Sequence, residues 1–442
     1  MTTLARKLGL SHYFSLAWGT MVGVGWLVVM DDWLKRGGPA GGVIAFAIGG
    51  AALLPVAYVY GQLILMMPDA SSEVAYTERA FNRPLSYAIG WTMLLTYLIV
   101  CPWEAIAIGR IAGYLVPALN SIELYRVGGS PVYLPHLLIG LGFTALFMAI
   151  NFRGIGLSAT FQNWATALVL GLIAAVILLG LPHGSAANFT PAFNGSPAVS
   201  VLLMLQVVPY FMTGFESISK SSEEASTRFD AGGFGKAMVL AIGVGMTFYI
   251  LVIVSVSYLA PWPGLLGERF ATAAAFEHGI GQRWVVNVIM GAALVSLLKI
   301  MNGTFVASSR LLFALGRRGL VSQRVALIHP VNQTPSSAIL WVGGATAAAV
   351  FLGGAILVPV TEVAAVTVAL GWLSACACYL RLGPTPRGRA AAWAGLAVTG
   401  AMVLMKVLPF VPGHFSGSEW MALALWCLAG WAVRNRTRPT KS

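Results

Sequence analysis

Twelve runs of mainly apolar residues, each about as long as the roughly 20 residues a helix needs to cross a bilayer, dominate this chain. They lie near 12–34, 41–67, 87–118, 132–152, 158–181, 200–222, 236–260, 284–315, 336–355, 357–380, 390–411 and 417–434. Short loops separate them, and the longest polar insertions fall near 182–199 and 261–283. Composition agrees: 58% of the 442 residues are hydrophobic and 10% charged, against about 25% charged in a soluble domain. The expectation is an all-α polytopic membrane protein of twelve transmembrane helices with no appended soluble domain. The opening run follows Arg6 and Lys7, is too long for a signal peptide, and reaches Asp31 and Asp32 without a small-residue cleavage site, so it reads as a retained helix.

The net charge of +12 is placed as a topology signal rather than a nucleic-acid footprint. With the N-terminus inside, the inner segments carry Arg6, Lys7, Arg79, Arg83, Arg153, Lys220, Arg228, Lys236, Arg310, Arg317, Arg318 and Arg324. To these add Arg381, Arg387, Arg389, Arg434, Arg436, Arg438 and Lys441. The outer segments carry only Lys35, Arg36, Arg126, Arg269 and Arg283. The positive-inside rule therefore predicts two cytoplasmic termini and an integral protein of the cytoplasmic (inner) membrane.

Several function classes lack their residues. Cys101, Cys376, Cys378 and Cys427 fall within spans and form no CxxC pair, so neither a disulfide nor a metal site is expected. The histidines lie at span ends or in loops, and HExxH and GxSxG are absent, which leaves an intramembrane enzyme without its groups. There is no repeated pore loop for a channel and no ATP-binding motif, and no cofactor is predicted.

Within the first run, GTMVGVG at 19–25 places three glycines in seven positions. Small residues at i and i+4, Gly19 and Gly23, suit close helix packing. Alternatively Gly23-Val24-Gly25 interrupts the helix, and freed backbone groups at that depth are tolerated only around a polar cavity. The sixth run, VVPYFMTGFESISKSSEEA at 207–225, offers a second interruption between Pro209 and Gly214. Two breaks at the first helices of two five-helix halves are what an inverted-repeat transporter predicts.

Four segments then resemble the amino acid-polyamine-organocation permeases: GTMVGVGW with the later GGPAGG; Tyr60-Gly-Gln-Leu with MMPDASSEVAYTERAFNRPLSYAIGW; GFESISKSSEEA; and SSRLLFALGRRGLVSQRVALIHPVNQTPSSAI. The resemblance implies the leucine-transporter fold, a 5+5 inverted repeat plus two C-terminal helices, with helices 1 and 6 broken. Residues 1–380 would form the core, its repeats at about 10–181 and 200–380, and 381–442 would add two helices and a basic tail. The implied function is secondary active transport of amino acids or related amines, including polyamines, by alternating access, coupled to a proton or sodium. Exchange is the alternative to symport.

By the same resemblance, amides at the first break hold a substrate carboxylate, and carbonyls of helices 1 and 6 hold its amino group. The matching positions are Gly19, Thr20, Gly23, Val24 and Gly25 with Phe211, Met212, Thr213 and Gly214, while Tyr210 matches an aromatic that closes over substrate. Val24 stands where many relatives carry serine, which removes one hydroxyl contact.

Intramembrane charge is costly and tends to be paired or functional. Glu104, in the third run, suits an ammonium or guanidinium ligand. Lys299, eleven residues before Arg310 and about 16 Å along the same helix, is its alternative partner. Lys299 facing the vestibule would instead attract an anion, and Arg110 is a further candidate partner. Glu216, after the second break, is a candidate proton carrier. The resemblance places a helix-5 lysine of sodium-independent members at Val169, so sodium coupling stays open, with Asn302, Thr304 and Ser308 supplying oxygens.

Overall fold

The computed structural model describes residue 4 and residues 6–268 and 270–437, with side chains described except at 355–359 and 435–437. Of the basic residues assigned to a side above, Arg269, Arg438, Lys441 and the Arg436 side chain lie outside that set. In chain order the helices are α1 Leu10–Met21, α2 Gly25–Val28, α3 Met30–Met66, α4 Glu73–Ala80, α5 Arg83–Leu98 and α6 Val100–Leu115. A hairpin follows, β1 Glu123–Val127 and β2 Ser130–Tyr133, then α7 Leu134–Arg153, α8 Ile155–Gly180, α9 Pro197–Leu205 and α10 Val208–Phe211. A 3₁₀ segment, Phe215–Glu224, leads to α11 Gly233–Leu259, α12 Ala271–Ile280 and α13 Arg283–Arg317. The last four are α14 Ser336–Val350, α15 Leu357–Arg381, α16 Pro386–Val407 and α17 Gly417–Thr437.

Among the described residues, eight helices are long and apolar enough to cross a membrane, and the pair Pro197–Leu205 and Val208–Glu224, bent by 43°, makes nine if it is counted as one span. Apolar side chains such as Trp164, Leu178, Trp341 and Leu425 stand exposed on their outer faces, as lipid contact requires. This is a predominantly helical, polytopic membrane protein. The expected first span is not one helix: α1 ends at Met21, and the chain resumes through α2 into α3. The 37 residues of α3 reach about 55 Å at 1.5 Å each, and a kink divides them at Gly38, where φ is 61° and Pro39 follows. The expected span 336–355 contains a helix of 15 residues, and the last expected span is helical over Gly417–Thr437.

Short α1 sits at the centre, packed on α8, α11 and α13. Strands β1 and β2 and helices α4 and α12 are additions that hydropathy did not announce, because each is short and only partly apolar. Two basic residues counted above on the inner side are fully buried: Lys220 pairs with Glu73 at 2.5 Å, and Arg310 pairs with Glu224 at 3.2 Å. The polar 3₁₀ segment is folded inward, which buries its lysine.

The face where the chain begins is sealed. Leu8 bridges to Ala225, the amides of Lys7 and Leu8 donate to the Glu224 carbonyl, and the Tyr13 hydroxyl donates to the Ser221 carbonyl at 2.9 Å. Around this strap Arg317 reaches Glu223, and Arg318 reaches Asp69 and Glu78. Burial works against the Asp69 charge, yet hydrogen bonds from Ser71 and the Arg318 guanidinium hold its carboxyl below the usual carboxylate range. That contribution is present above the unfolded pKa and is lost as pH falls through the depressed folded value.

Removing one partner of a buried pair leaves the other charge stranded, at about 3–5 kcal/mol. Glu224→Gln should therefore lower the thermal unfolding midpoint of the purified protein substantially. Glu224→Gln combined with Arg310→Met should recover most of the loss; a double variant no better than the single one would refute the pairing argument.

Candidate functional site

Both interruptions exist, and they touch. Val22, Gly23 and Val24 lie outside any helix between α1 and α2. Gly214 follows α10 with φ of 121°, a conformation that suits glycine, and a Cβ there would stand 2.6 Å from the Met21 amide nitrogen. The two readings of GTMVGVG are both realised: Gly19 packs so closely that a Cβ would meet the Gln162 amide at 2.0 Å, whereas Gly23 and Gly25 belong to the break. A Cβ at Gly25 would lie 2.2 Å from the Phe211 ring, which is how α10 approaches α2.

Helix α13 supplies the groups that hold the first break. Lys299 Nζ donates to the carbonyls of Val22 at 2.5 Å and Gly19 at 3.1 Å and lies 4.4 Å from the Trp18 ring centroid. One turn away, Ser296 Oγ donates to the Gly23 carbonyl at 2.7 Å and the Val22 carbonyl at 3.2 Å. The C-terminal end of a helix carries partial negative charge, so an ammonium is well placed there. The sequence reading sought a lysine on the fifth span and found Val169; the structure brings one from the eighth instead. At Gly19 the fifth-span helix α8 presents Gln162.

Glu104 is 1% exposed and does not pair with Lys299. Its Oε2 has no hydrogen-bond partner among the described residues, and a Cβ added at Gly23 would meet its Oε1 at 3.4 Å. The carboxylate thus abuts the break. The surrounding cavity is lined by Thr20, Gly23, Val24, Gly25, Glu104, Tyr210, Phe211, Thr213 and Thr304 from the predicted set, with Thr96, Tyr97, Val100 and Trp103 in addition. Its open volume is about 20 Å³, room for about one water molecule. No acceptor among the described residues takes the amides of Gly23, Val24 or Gly25, and no donor takes the carbonyls of Phe211, Met212 or Thr213.

Trp103, Tyr210 and Phe211 also line a second, larger vestibule of about 290 Å³, together with Asp31, Asp32, Trp33, Arg36, Arg110 and Glu362. Those three aromatics separate the two spaces, and Phe211 is braced edge-on by Trp33 at 4.7 Å. Arg36 bonds Asp32 at 2.6 Å and Glu362 at 3.4 Å, which ties the vestibule rim together.

The remaining predicted residues sit behind the lining. Gly19, Met212, Gly214 and Lys299 are buried at the breaks. Glu216 Oε1 accepts from the Tyr97 hydroxyl at 2.8 Å and the Thr213 hydroxyl at 3.0 Å, and the Gly214 amide donates to Oε2 at 3.0 Å. Asn302 bonds Ser158, Asn151 and Gln162, and the Ser308 hydroxyl donates back to a carbonyl of α13, as does that of the lining residue Thr304. Arg110 lines the vestibule and a neighbouring space rather than the cavity at Glu104. Sequence reading missed Ser296, Tyr97 and Trp103; the one available signal was Ser296, three residues from Lys299 on one helix face.

The model of one family, described as amino acid permease, matches residues 8–433, nearly the whole chain. The chain belongs to the amino acid permease family. Similar proteins include the methylthioribose transporter of Bacillus subtilis, 26% identical, the match covering 79% of this chain and 75% of the relative. The branched-chain amino acid permease BcaP of the same species is 26% identical, covering 84% and 79%. Human cationic amino acid transporter 4 is 27% identical, covering 78% of this chain and 55% of its own. Family and relatives are all permeases or transporters, and this permease is an integral membrane transport protein, not an enzyme.

In this permease Lys299 is the only group placed to neutralise both carbonyls at the end of α1 among those described. Lys299→Met should therefore free α1 from α13 and lower the thermal midpoint, whereas Lys299→Arg should retain part of it. Equal midpoints for wild type and Lys299→Met would rule out the tether.

Proposed function

We propose that this permease is a secondary active transporter that moves an amino acid or related amine bearing a cationic group across the cytoplasmic membrane, by alternating access and with a proton as the coupling ion. The observation that carries the reading is Glu104: a buried carboxylate with an unmatched oxygen, set against the first break in the narrow cavity. Burying a charge without a partner is expensive, so a complementary ammonium or guanidinium is the natural occupant of that wall. The amides of Gly23, Val24 and Gly25 are available for a carboxylate, and the carbonyls of Phe211, Met212 and Thr213 for an α-amino group. Tyr210 and Phe211, at the partition, serve as the outer lid.

The remainder of the reading follows from the same residues. Twelve spans arranged as two inverted repeats, about 10–181 and 200–380, would put the two breaks at equivalent places, with 381–442 as an added pair of helices and a tail. Both termini would be cytoplasmic, and helices 1, 2, 6 and 7 would rock against the rest around the breaks. The vestibule would then face outward, with the sealed face inward. A proton is favoured over sodium because an ammonium already occupies the carbonyls of Gly19 and Val22, and because Asn302, Thr304 and Ser308 are engaged with protein partners. Methylthioribose and branched-chain amino acids, named for two relatives, are the neutral alternatives.

A hydrogen bond to a charged group contributes about 1.5–3 kcal/mol. Glu104→Gln should thus weaken binding of cationic amino acids and polyamines by about tenfold or more, measured by thermal shift or calorimetry, and leave neutral amino acids within about twofold. Equal small losses for both classes would remove Glu104 from substrate recognition. Exchanging sodium for choline in liposome uptake should leave the rate unchanged; a strict sodium requirement would overturn the choice of ion.

A further inference from the structure

Where α1 meets α8 and α13, a buried hydrogen-bond donor stands idle. Gln162 of α8 is 0% exposed, and its Nε2 has no acceptor among the described residues. The other end of the side chain is held. Asn302 Nδ2 of α13 donates to Gln162 Oε1 at 2.9 Å, and Asn302 Oδ1 accepts from the Ser158 hydroxyl at 2.9 Å and from Asn151 Nδ2 of α7 at 3.2 Å. With its carbonyl end fixed in this way, the Gln162 amide turns its NH₂ toward α1. A Cβ at Gly19 would stand 2.0 Å from Nε2; one at Gly303 would stand 3.4 Å from Nε2 and 2.2 Å from the Thr20 hydroxyl. The two glycines are what let the donor reach the last turn of α1.

A buried N–H left unbonded is penalised by an amount comparable with what a hydrogen bond contributes. In this conformation the donor stands beside an acceptor that is already taken. The Gly19 carbonyl accepts from Lys299 Nζ at 3.1 Å, the longer of the two bonds that this ammonium makes to the end of α1; the bond to Val22 is 2.5 Å. Both donors stand on α8 and α13, which Asn151, Ser158 and Asn302 join to α7, whereas the acceptor belongs to α1. A shift of α1 past its neighbours would exchange the longer Lys299 bond for one from Gln162 and satisfy the idle donor in the same step. One bond breaks and one forms, so the two positions of the helix stay close in free energy, as two states that are both visited must be.

We propose that Gln162 is a positioning residue for transport: the second docking point of α1, which holds the Gly19 carbonyl when the helix leaves the position held by Lys299. The proposal rests on the alternating-access reading above, in which the first helix moves against the fifth and eighth spans, and it names the contact that receives the helix.

Opening of the sealed face is read without any substrate through Ser222→Cys. Ser222 is 4% exposed in that face, and its hydroxyl has no partner among the described residues, so the exchange removes no hydrogen bond. Modification of this cysteine by a water-soluble maleimide is timed by peptide mass spectrometry in the purified full-length protein, with Cys427→Ser removing the exposed native thiol. Gln162→Met keeps the length of the side chain and removes the donor, while Asn302 retains the Ser158 carbonyl at 3.3 Å. It should slow the modification about three- to tenfold, the factor that one neutral hydrogen bond contributes, with the thermal midpoint unchanged or raised. A purely structural role for Gln162 gives the opposite pair, a lower midpoint and faster modification. If the methionine variant fails to fold, Asn302→Asp carries the test. A carboxylate opposite Gln162 accepts from Nε2, turns the amide over and withdraws the donor from α1, so modification should slow likewise. An unchanged or faster rate in the variant tested overturns the role of Gln162 and leaves alternating access standing. A Ser222→Cys thiol that, with Gln162 and Asn302 intact, reacts no faster than the buried Cys376 means that the sealed face does not open, and removes both.

Discussion

Every backbone group released by a broken helix inside this protein must find a partner other than water. A peptide group stripped of its hydrogen bond in an apolar setting costs a few kcal/mol, so two breaks in contact are a severe demand. The chain meets it unevenly. At the first break Lys299 and Ser296 take the carbonyls of Gly19, Val22 and Gly23, and at the second the Glu216 carboxylate takes the Gly214 amide. Among the described residues, what remains unmatched is the run of amides at Gly23–Gly25, the carbonyls at Phe211–Thr213 and one oxygen of Glu104. Those leftovers surround the narrow cavity, so the candidate site is the part of the break problem that the fold leaves open.

The two ends of the molecule are held by interactions of different strength. The vestibule rim depends on Arg36 with Asp32 and Glu362, partly exposed pairs of a kind worth about 0–1 kcal/mol each. The opposite face depends on the fully buried pairs Lys220–Glu73 and Arg310–Glu224, whose one-sided loss costs several times more. Losing one partner of the Arg36 pairs therefore costs less than losing one partner of the buried pairs. Lys406 of α16 bonds Glu362 and the Gly413 carbonyl, so the helix outside the implied ten-helix core also helps set the rim.

Much of this was legible beforehand because the bilayer imposes length and apolarity, and glycine and proline mark where a helix cannot continue. The membrane class, the break at Gly23–Gly25 and the second break before Glu216 rest on such local signals. The division of the first span was only half visible: the onset of α2 and the merging of its continuation into α3 depend on Phe211 packing over Gly25, a contact between residues far apart in sequence. The hairpin and α4 escaped notice because short polar elements carry weak periodicity. The burial of Lys220 and Glu73 is not visible in the sequence: both stand in polar stretches, SISKSSEEA and PDASSEVAY, and nothing local shows that these fold inward.

The pairing of Glu104 shows a different limit. Two opposite charges at similar depth invite an ion pair, and pairwise reasoning weighs only side chains. Here the competitor for Lys299 was backbone: the end of α1 offers two carbonyls and the field of a helix C-terminus, fixed at no cost in side-chain entropy. An ammonium satisfied in that way has no need of Glu104, and the carboxylate is left facing the cavity. Because α1 stops at Met21, the carbonyls that bind Lys299 exist. The glycine pattern that breaks the helix and the free carboxylate opposite it thus have one physical cause.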